Sequence, residues 1–207
     1  MEMTKKATQT TDEELLQGFL SGNERCFKDL MHRYREPILN FAYRFIGDYD
    51  DAVDIAQETF IRLYRFGHTF QGEVKFSTWL YTIAANLART ELKRYRRRNG
   101  SLLSAVFSRG DDAETWDIPD EQFRPDERID SSHIAQAVQT ALMHVSPSYR
   151  EMVVMRDIQQ LSYEEIAQVT GTEMGTVKSR INRGRQQLQT QLRDLYNEVF
   201  GTEQDSL

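Results

Sequence analysis

Two clusters of basic and amide side chains have the composition needed to contact nucleic acid. The first lies between residues 86 and 98, where Asn86 precedes six basic residues and a single acid, Glu91. The second lies between residues 178 and 193, which hold five basic residues and no acid. Arginine and lysine neutralise phosphates, and an asparagine amide both donates to and accepts from a base edge. Both stretches therefore predict contact with a nucleic acid.

The first cluster occupies one side of a predicted helix that is capped by Ser77 and runs to about Arg98. The apolar side is predicted to hold Leu80, Ile83, Ala84 and Leu87, together with Glu91. The opposite side carries Thr82, Asn86, Arg89, Lys93, Arg96 and Arg97. Aromatic residues that include Trp79 lie just upstream, and aromatic faces stack on unpaired bases, which favours a platform for single-stranded DNA. The alternative is a solvated basic helix end with its aromatics in the core.

The second cluster belongs to the segment LSYEEIAQVTGTEMGTVKSRINRGRQQL. Ser162 and Glu165 predict a capped first helix, and Gly171 supplies a tight turn to a second helix capped by Thr172. One side of the second helix is an apolar seam, and the other presents Lys178, Ser179, Asn182, Arg183 and Gln186, flanked by Arg180 and Arg185. This pattern predicts a helix-turn-helix whose second helix enters the major groove. A plain helical hairpin with a charged exterior is the alternative.

Another predicted helix, from about Asp50 to Phe66, has a polar face that is not required for packing into the hydrophobic core. That face contains Asp51, Asp54, Gln57, Glu58, Ile61 and Arg62. Acids beside an amide and one isoleucine suit a docking surface for a basic protein partner. An ordinary solvated face is the simpler alternative.

Composition sets the frame for these candidate sites. The 207 residues, 39% hydrophobic and 28% charged, suit one large or two small globular domains. No apolar run approaches the roughly 18 residues of a membrane span. Cys26 is the single cysteine, and the four histidines show no metal-ligand spacing. We therefore expect a cytoplasmic protein without a disulfide, metal or cofactor.

The segment 99–130 differs from the sequence on either side, since it holds nine acidic residues against three basic ones and is broken by glycine and proline. It predicts a flexible acidic linker between an N-terminal domain, 1–98, and a C-terminal domain, 131–207. Alternating β-branched patterns are almost absent. The expected fold is all-α, with two small helical domains, the second a four-helix domain that contains the helix-turn-helix.

Three segments, taken in order, resemble one known family. DAVDIAQETFIRLYR, FSTWLYTIAANLARTELKRYRRR and LSYEEIAQVTGTEMGTVKSRINRGR are similar to bacterial RNA polymerase sigma factors of the extracytoplasmic-function group. The resemblance covers about residues 11–98 and 131–197. It implies a transcription initiation factor without catalytic residues that directs core RNA polymerase to promoters.

The resemblance also implies roles for the three faces. The third-helix face (Asp51, Asp54, Gln57, Glu58, Ile61) would dock on core polymerase. The fourth helix would open the −10 element, and Asn86 would hold a flipped base. The other residues that would contact the opened DNA strand are Trp79, Arg89, Lys93, Arg96 and Arg97. The −35 element would be read by Lys178, Ser179, Arg180, Asn182, Arg183 and Arg185. The resemblance implies that an anti-sigma factor clamps both domains. It also implies that the acidic linker threads through polymerase channels. No small-molecule ligand is expected.

Two other functions compete with this interpretation. A stand-alone helix-turn-helix regulator with an N-terminal sensing or dimerisation domain would explain the second cluster but not the stripe around Asn86. An enzyme is the weaker alternative, because the sequence shows no nucleophile–base arrangement, phosphate-cradling glycine loop or metal-ligand cluster.

Overall fold

The computed structural model describes residues 10–99 and 131–200, in which the regular secondary structure is helical. The N-terminal helices are α1 (Asp12–Leu20), α2 (Glu24–Ile46), α3 (Tyr49–Phe66) and α4 (Phe76–Asn99), with a 3₁₀ turn at Gly67–Thr69. The C-terminal helices are α5 (Ser131–Met143), α6 (Pro147–Val153), α7 (Tyr163–Thr170) and α8 (Met174–Phe200). The predicted all-α fold is confirmed. The predicted linker lies outside the described residues except for Asn99, which ends α4.

Neighbouring side chains determine where α1 begins, and the Asp12 carboxylate of α1 binds two side chains of α2. Thr11 Oγ1 accepts from the Glu14 amide at 3.2 Å, and the Glu14 carboxylate accepts from the Thr11 amide at 2.8 Å. The two bonds form a capping box, which the T-x-x-E spacing of Thr11 and Glu14 favours. The Asp12 carboxylate accepts from Arg33 and from the Tyr34 hydroxyl. Burial, and then this hydrogen bond, raise the pKa of Tyr34 above its usual range.

The N-terminal core forms where α2, α3 and α4 meet, and its fully buried members include Leu30, Ile38, Phe41, Phe45, Leu63 and Leu80. Their spacing of three and four residues places one apolar stripe of each helix inward. Pro37 lies within α2, which nevertheless runs without a break from Glu24 to Ile46. Gly47 ends α2 in the left-handed conformation.

The prediction that Ser77 caps α4 was wrong, because the helix already begins at Phe76. The Phe76 amide donates to Oε1 of Glu13 at 3.0 Å, so a side chain from α1 satisfies the start of α4. Phe76 is fully buried and packs its ring against Tyr34 and Phe70. This tertiary packing draws residue 76 into the helix.

The C-terminal half follows its sequence signals closely. Pro147 opens α6 after Ser146, and Ser162 with Glu165 forms the second capping box at α7. The chain after α6 continues as a π-helical turn, Val154–Ile158, which the sequence did not predict. The predicted cap at Thr172 is displaced, since α8 begins two residues later at Met174.

The turn between α7 and α8 requires a residue with positive φ. Gly171 has φ +64°, and a Cβ there would meet nothing within 4 Å. We expect Gly171→Ala to lower the free energy of unfolding by about 1 kcal/mol, because the left-handed conformation disfavours a Cβ. Urea unfolding followed by circular dichroism measures the change. Gly171→Asn is the control, and it should be less destabilising because asparagine tolerates this region; equal losses would contradict the explanation.

The two halves of the chain pack against each other through α4. On one side of α4, Leu80 and Ala84 are buried among the N-terminal helices, while the predicted core residues Ile83 and Leu87 are only half-buried. A second set of α4 side chains is also buried, namely Tyr81, Ala85, Ala88 and Leu92. The helix α7 packs against α4, and α2 contacts α5 and the π-helical turn. The solvent-facing side of α4 is therefore narrower than the sequence predicted.

Candidate nucleic-acid and protein interfaces

Asn86 and Arg89 form the centre of the basic face on α4. The Asn86 side chain is exposed, and its Oδ1 accepts from Nη1 of Arg89 at 2.8 Å. Lys93 and Arg97 are exposed one and two turns further along. The side chain of Arg96 lies outside the described part of the chain. The structure thus presents an amide and a row of cations along one edge of the helix, as the sequence predicted.

Arg89 differs from its neighbours because it is engaged by the C-terminal half. Its Nε and Nη2 lie 2.9 Å and 2.8 Å from Oε1 of Glu151 on α6. The Glu151 side chain is only 8% exposed and that of Arg89 28%. Burial raises the pKa of Glu151, while the charges of Arg89 and then Arg180 oppose the shift. Glu151 was not among the residues predicted from the sequence; its one local signal is an acid directly before the apolar run MVVM.

Several aromatic residues near α4 pack against one another in the protein, and fewer are exposed than a platform for stacking single-stranded DNA would need. Trp79 is half-buried, and its ring lies 5.7 Å from that of Phe70 and 6.1 Å from that of Phe76. Tyr64 and Phe66 are more than half exposed, although Tyr64 also packs against Phe19 at 5.2 Å. Trp79 therefore packs against aromatic residues at the start of α4, and its side chain is only partly exposed to solvent.

The helices α7 and α8 form the predicted helix-turn-helix. Ile166 and Val169 of α7 are buried against Val177 and Ile181 of α8. Gly184 allows α8 to approach α6 closely, since a Cβ there would lie 2.6 Å from Cγ2 of Val153. On the outer side, Lys178, Ser179, Asn182 and Arg183 are exposed, and Arg180 is half-buried. The four exposed side chains share the face that the sequence assigned to the major groove.

Arg183 and Arg185 of α8 both contact other parts of the C-terminal half. Arg185 forms a two-point ion pair with Asp157 of the π-helical turn, with Nε 2.9 Å from Oδ2, and this pair raises the pKa of Arg185. Arg183 Nη1 donates to the Tyr149 hydroxyl at 3.2 Å. The Arg185 pair attaches α8 to the π-helical turn before α7. Asp157 and Tyr149 were not identified from the sequence, because nothing local links them to α8.

The polar face of α3 is arranged as predicted. Asp54, Gln57 and Ile61 are exposed, and Asp51 and Glu58 are half-buried beside them. Glu58 Oε1 accepts from Nε of Arg62 one turn along at 2.9 Å. Ile61 is 43% exposed, which places an apolar contact in the middle of an acidic face. Such a face suits a partner that is basic at the rim and apolar at the centre.

Within the described residues, no three histidine, cysteine, aspartate or glutamate side chains are grouped so as to hold a metal ion. None of the helices in residues 10–99 and 131–200 combines the length and apolar content that a membrane span requires.

Comparison with known proteins identifies the class to which these faces belong. Residues 30–98 match sigma-70 region 2, and residues 135–188 match sigma-70 region 4. The chain is 35% identical to the ECF RNA polymerase sigma factor SigW of Bacillus subtilis over 84% of its length and 92% of that protein. It is 34% identical to the RNA polymerase sigma-H factor of Pseudomonas aeruginosa over 93% of its length and 99% of that protein.

Solved structures show the same fold. CnrH, in complex with the cytosolic domain of CnrY, matches with a TM-score of 0.65 at 25% identity, covering 88% of this chain and 97% of CnrH. The sigma factor RpoE of Bartonella quintana, in complex with the anti-sigma factor NepR, gives 0.60 at 24% identity, covering 81% and 96% of the two chains. The chain belongs to the extracytoplasmic-function group of the sigma-70 family. It is a transcription initiation factor that directs RNA polymerase to promoters.

Proposed function

We propose that three separate faces carry out promoter-directed initiation. The α3 face (Asp51, Asp54, Gln57, Glu58, Ile61) docks on core RNA polymerase. The α4 face (Asn86, Trp79, Arg89, Lys93, Arg96, Arg97) captures and opens the −10 element, and the α8 face (Lys178, Ser179, Arg180, Asn182, Arg183, Arg185) reads the −35 element. A protein with these partners works in the cytoplasm. It supplies binding and positioning and performs no catalysis itself.

One observation carries this assignment: a single chain presents two distinct cationic faces, one with an exposed amide and one on a helix-turn-helix. A stand-alone regulator needs only the second face. Two DNA modules on one chain gain affinity once polymerase holds both, because the second contact is made within the complex. The acidic face on α3 supplies the attachment to polymerase that this gain requires.

The division of labour within the α8 face follows from its contacts. Lys178, Ser179 and Asn182 are exposed on the side of α8 assigned to the groove, and in the described part of the chain no hydrogen bond to another helix holds them in the way that Asp157 holds Arg185. Arg185, held by Asp157, has a positioning role in this arrangement and reaches phosphate only by exchanging that partner. The face therefore reads bases near its N-terminal end and contacts the backbone further along.

We further propose that an anti-sigma factor binds this chain. The relative CnrH was solved with the cytosolic domain of CnrY bound. In this chain, the exposed apolar side chains Ile61, Tyr64 and Phe66 lie on α3, the helix that carries the proposed polymerase face. A protein that covers them would compete directly with polymerase.

The docking face is tested by the triple variant Asp54→Lys, Gln57→Lys and Glu58→Lys. We expect its binding to core RNA polymerase to be about tenfold weaker, or ~1.4 kcal/mol, because the acids that attract a basic partner have been reversed. Co-elution with core polymerase and a titration of binding provide the measurement.

The matched control places the same added charge on exposed positions of α1 and α2, with Gln17→Lys, Asp29→Lys and Glu36→Lys. The control should bind like the unmodified chain. Failure of the unmodified chain to bind core polymerase would favour the stand-alone regulator, and equal losses in both triple variants would remove the α3 face from the assignment.

A further inference from the structure

The side-chain amide of Asn86 has a defined orientation on the surface of α4. Its Oδ1 accepts from Nη1 of Arg89 at 2.8 Å. A guanidinium carries donors and no acceptor, so the amide atom that faces it must be the oxygen. Nδ2 therefore lies on the opposite side of the amide. Because Asn86 is exposed, this nitrogen can donate to a ligand in front of the helix.

The guanidinium of Arg89 is itself held on another edge. Nε and Nη2 lie 2.9 Å and 2.8 Å from Oε1 of Glu151, and the Arg89 side chain is only 28% exposed. A DNA phosphate offers the same kind of anionic oxygen to that edge. Either acceptor leaves Nη1 to the amide oxygen of Asn86. The orientation of the amide is therefore compatible with phosphate on Arg89 as well as with Glu151.

Together the two side chains present three hydrogen-bonding groups in a row. Nδ2 of Asn86 donates, Oδ1 of Asn86 accepts through its second lone pair, and Nη1 of Arg89 donates through its second N–H. Thymine has the complementary order on its Watson–Crick edge, where O4 accepts, N3–H donates and O2 accepts. The cytosine edge runs donor, acceptor, acceptor and can match only two of the three groups. The row thus favours thymine among unpaired bases.

We propose that Arg89 is a specificity-determining residue, which orients the Asn86 amide so that the pair selects an unpaired thymine. The proposal rests on the proposed function, since it assumes that Asn86 contacts an unpaired base of the −10 element. An amide without such a neighbour can turn by half a rotation and exchange its oxygen and nitrogen, so that it accepts either order of donor and acceptor. Arg89 opposes this rotation, because its donors would then face those of Nδ2.

The other described cations of the α4 face differ from Arg89 in their position relative to the amide. Lys93 and Arg97 are exposed further along the helix, and Arg97 Nε donates to the backbone carbonyl of Lys93 at 3.4 Å. Lys93 lies seven positions from Asn86, beyond the three or four that bring two helical side chains together. These cations suit phosphates, which carry no sequence information. Lys93 therefore provides a matched control for Arg89.

The test compares two DNA arms whose bases differ only in this edge. Core RNA polymerase reconstituted with the chain is titrated, at fixed salt, with forked duplexes whose single-stranded arm is all thymine or all 5-methylcytosine. Both bases carry the same methyl group, and a homopolymer presents the same base in every register. We expect the unmodified chain to bind the thymine arm about tenfold more tightly, within the range of a base contact. Asn86→Ala gives the ratio that other contacts produce.

Substitutions at residue 89 should change the ratio of the two affinities. Arg89→Met should bring the ratio within twofold of that of Asn86→Ala, because the amide can then turn, and combining the two changes should add nothing. Arg89→Glu should move the preference toward 5-methylcytosine, since a carboxylate attracts Nδ2 and reverses the amide. Arg89→Lys keeps a cation with donors only and should retain most of the preference. Lys93→Met removes an equal charge and should weaken binding to both arms with the ratio unchanged.

The outcomes separate this selection from the proposed function. A ratio that stays the same in Arg89→Met and Arg89→Glu would overturn the role of Arg89, even if the complex with polymerase forms and opens the −10 element. Equal loss of the ratio in Lys93→Met, or no thymine preference in the unmodified chain, would overturn it as well. Failure to bind core polymerase would instead reject the proposed function, and the same ratios measured on the isolated chain would still decide whether Arg89 orients Asn86.

Discussion

Asn86→Ala is expected to reduce promoter-directed transcription by roughly tenfold to a hundredfold while binding to core RNA polymerase is unchanged. An amide that bonds a base by both its oxygen and its nitrogen contributes about 1–3 kcal/mol of discrimination. Asn86 is exposed at the centre of the α4 face and makes its side-chain bond to Arg89, so alanine removes little from the core. The measurement is transcription in vitro by core RNA polymerase reconstituted with this chain, from a promoter that a related sigma factor recognises.

A control for the helix itself is available one turn away. Thr90 is exposed, and its hydroxyl donates to the backbone carbonyl of Asn86 at 2.8 Å. Thr90→Ala removes that local bond but no base-directed amide, and its transcription should stay within about twofold of the unmodified chain. A template already opened at −10, with its bases kept, should leave the Asn86→Ala defect in place, because base capture is still missing. Normal transcription by Asn86→Ala would reject the assigned role.

Gly184→Ala is expected to destabilise the C-terminal half by about 1–3 kcal/mol. A Cβ at this position would lie 2.6 Å from Cγ2 of Val153 and 3.1 Å from the carbonyl oxygen of Tyr149. The second contact is with backbone, so α6 and α8 must move apart, which is a typical cost of overpacking. The midpoint of urea unfolding, followed by circular dichroism, should fall.

Gly175 provides a control of opposite sign in the same helix. A Cβ there meets nothing within 4 Å, so Gly175→Ala gains helix propensity of up to about 1 kcal/mol without a clash. The two substitutions add the same methyl group to α8, and only its surroundings differ. A stabilising effect at both positions would show that α6 yields at no cost and would contradict the prediction.

Features fixed by neighbouring residues were predictable from the sequence. The capping boxes at Thr11 and Ser162 and the left-handed Gly171 each depend on residues within about one turn. The same is true of the exposed faces on α3, α4 and α8, since helical spacing alone decides which side chains lie together. The candidate residues therefore follow from helical spacing alone, without any long-range contact.

Features fixed by distant residues were not predictable in this way. The cap of α4 comes from Glu13, 63 positions upstream of the amide it satisfies. Ala85 and Ala88 are buried on α4, which packs against α7, and no periodicity within α4 can indicate that contact between helices. Arg185 belongs to a basic run, yet its partner Asp157 lies 28 positions away. In each case, tertiary packing decided between a solvated side chain and a paired one.

The contact between Glu13 and Phe76 has a consequence for defining the smallest working unit of this protein. The region 2 match begins at residue 30, after α1 has ended. A fragment cut at that limit would lose Glu13 and leave the first amide of α4 without its acceptor, a loss of about 1 kcal/mol at a helix start. The limit of the region 2 match is therefore not the limit of cooperative folding: α1, outside that match, contributes the acceptor at the start of α4.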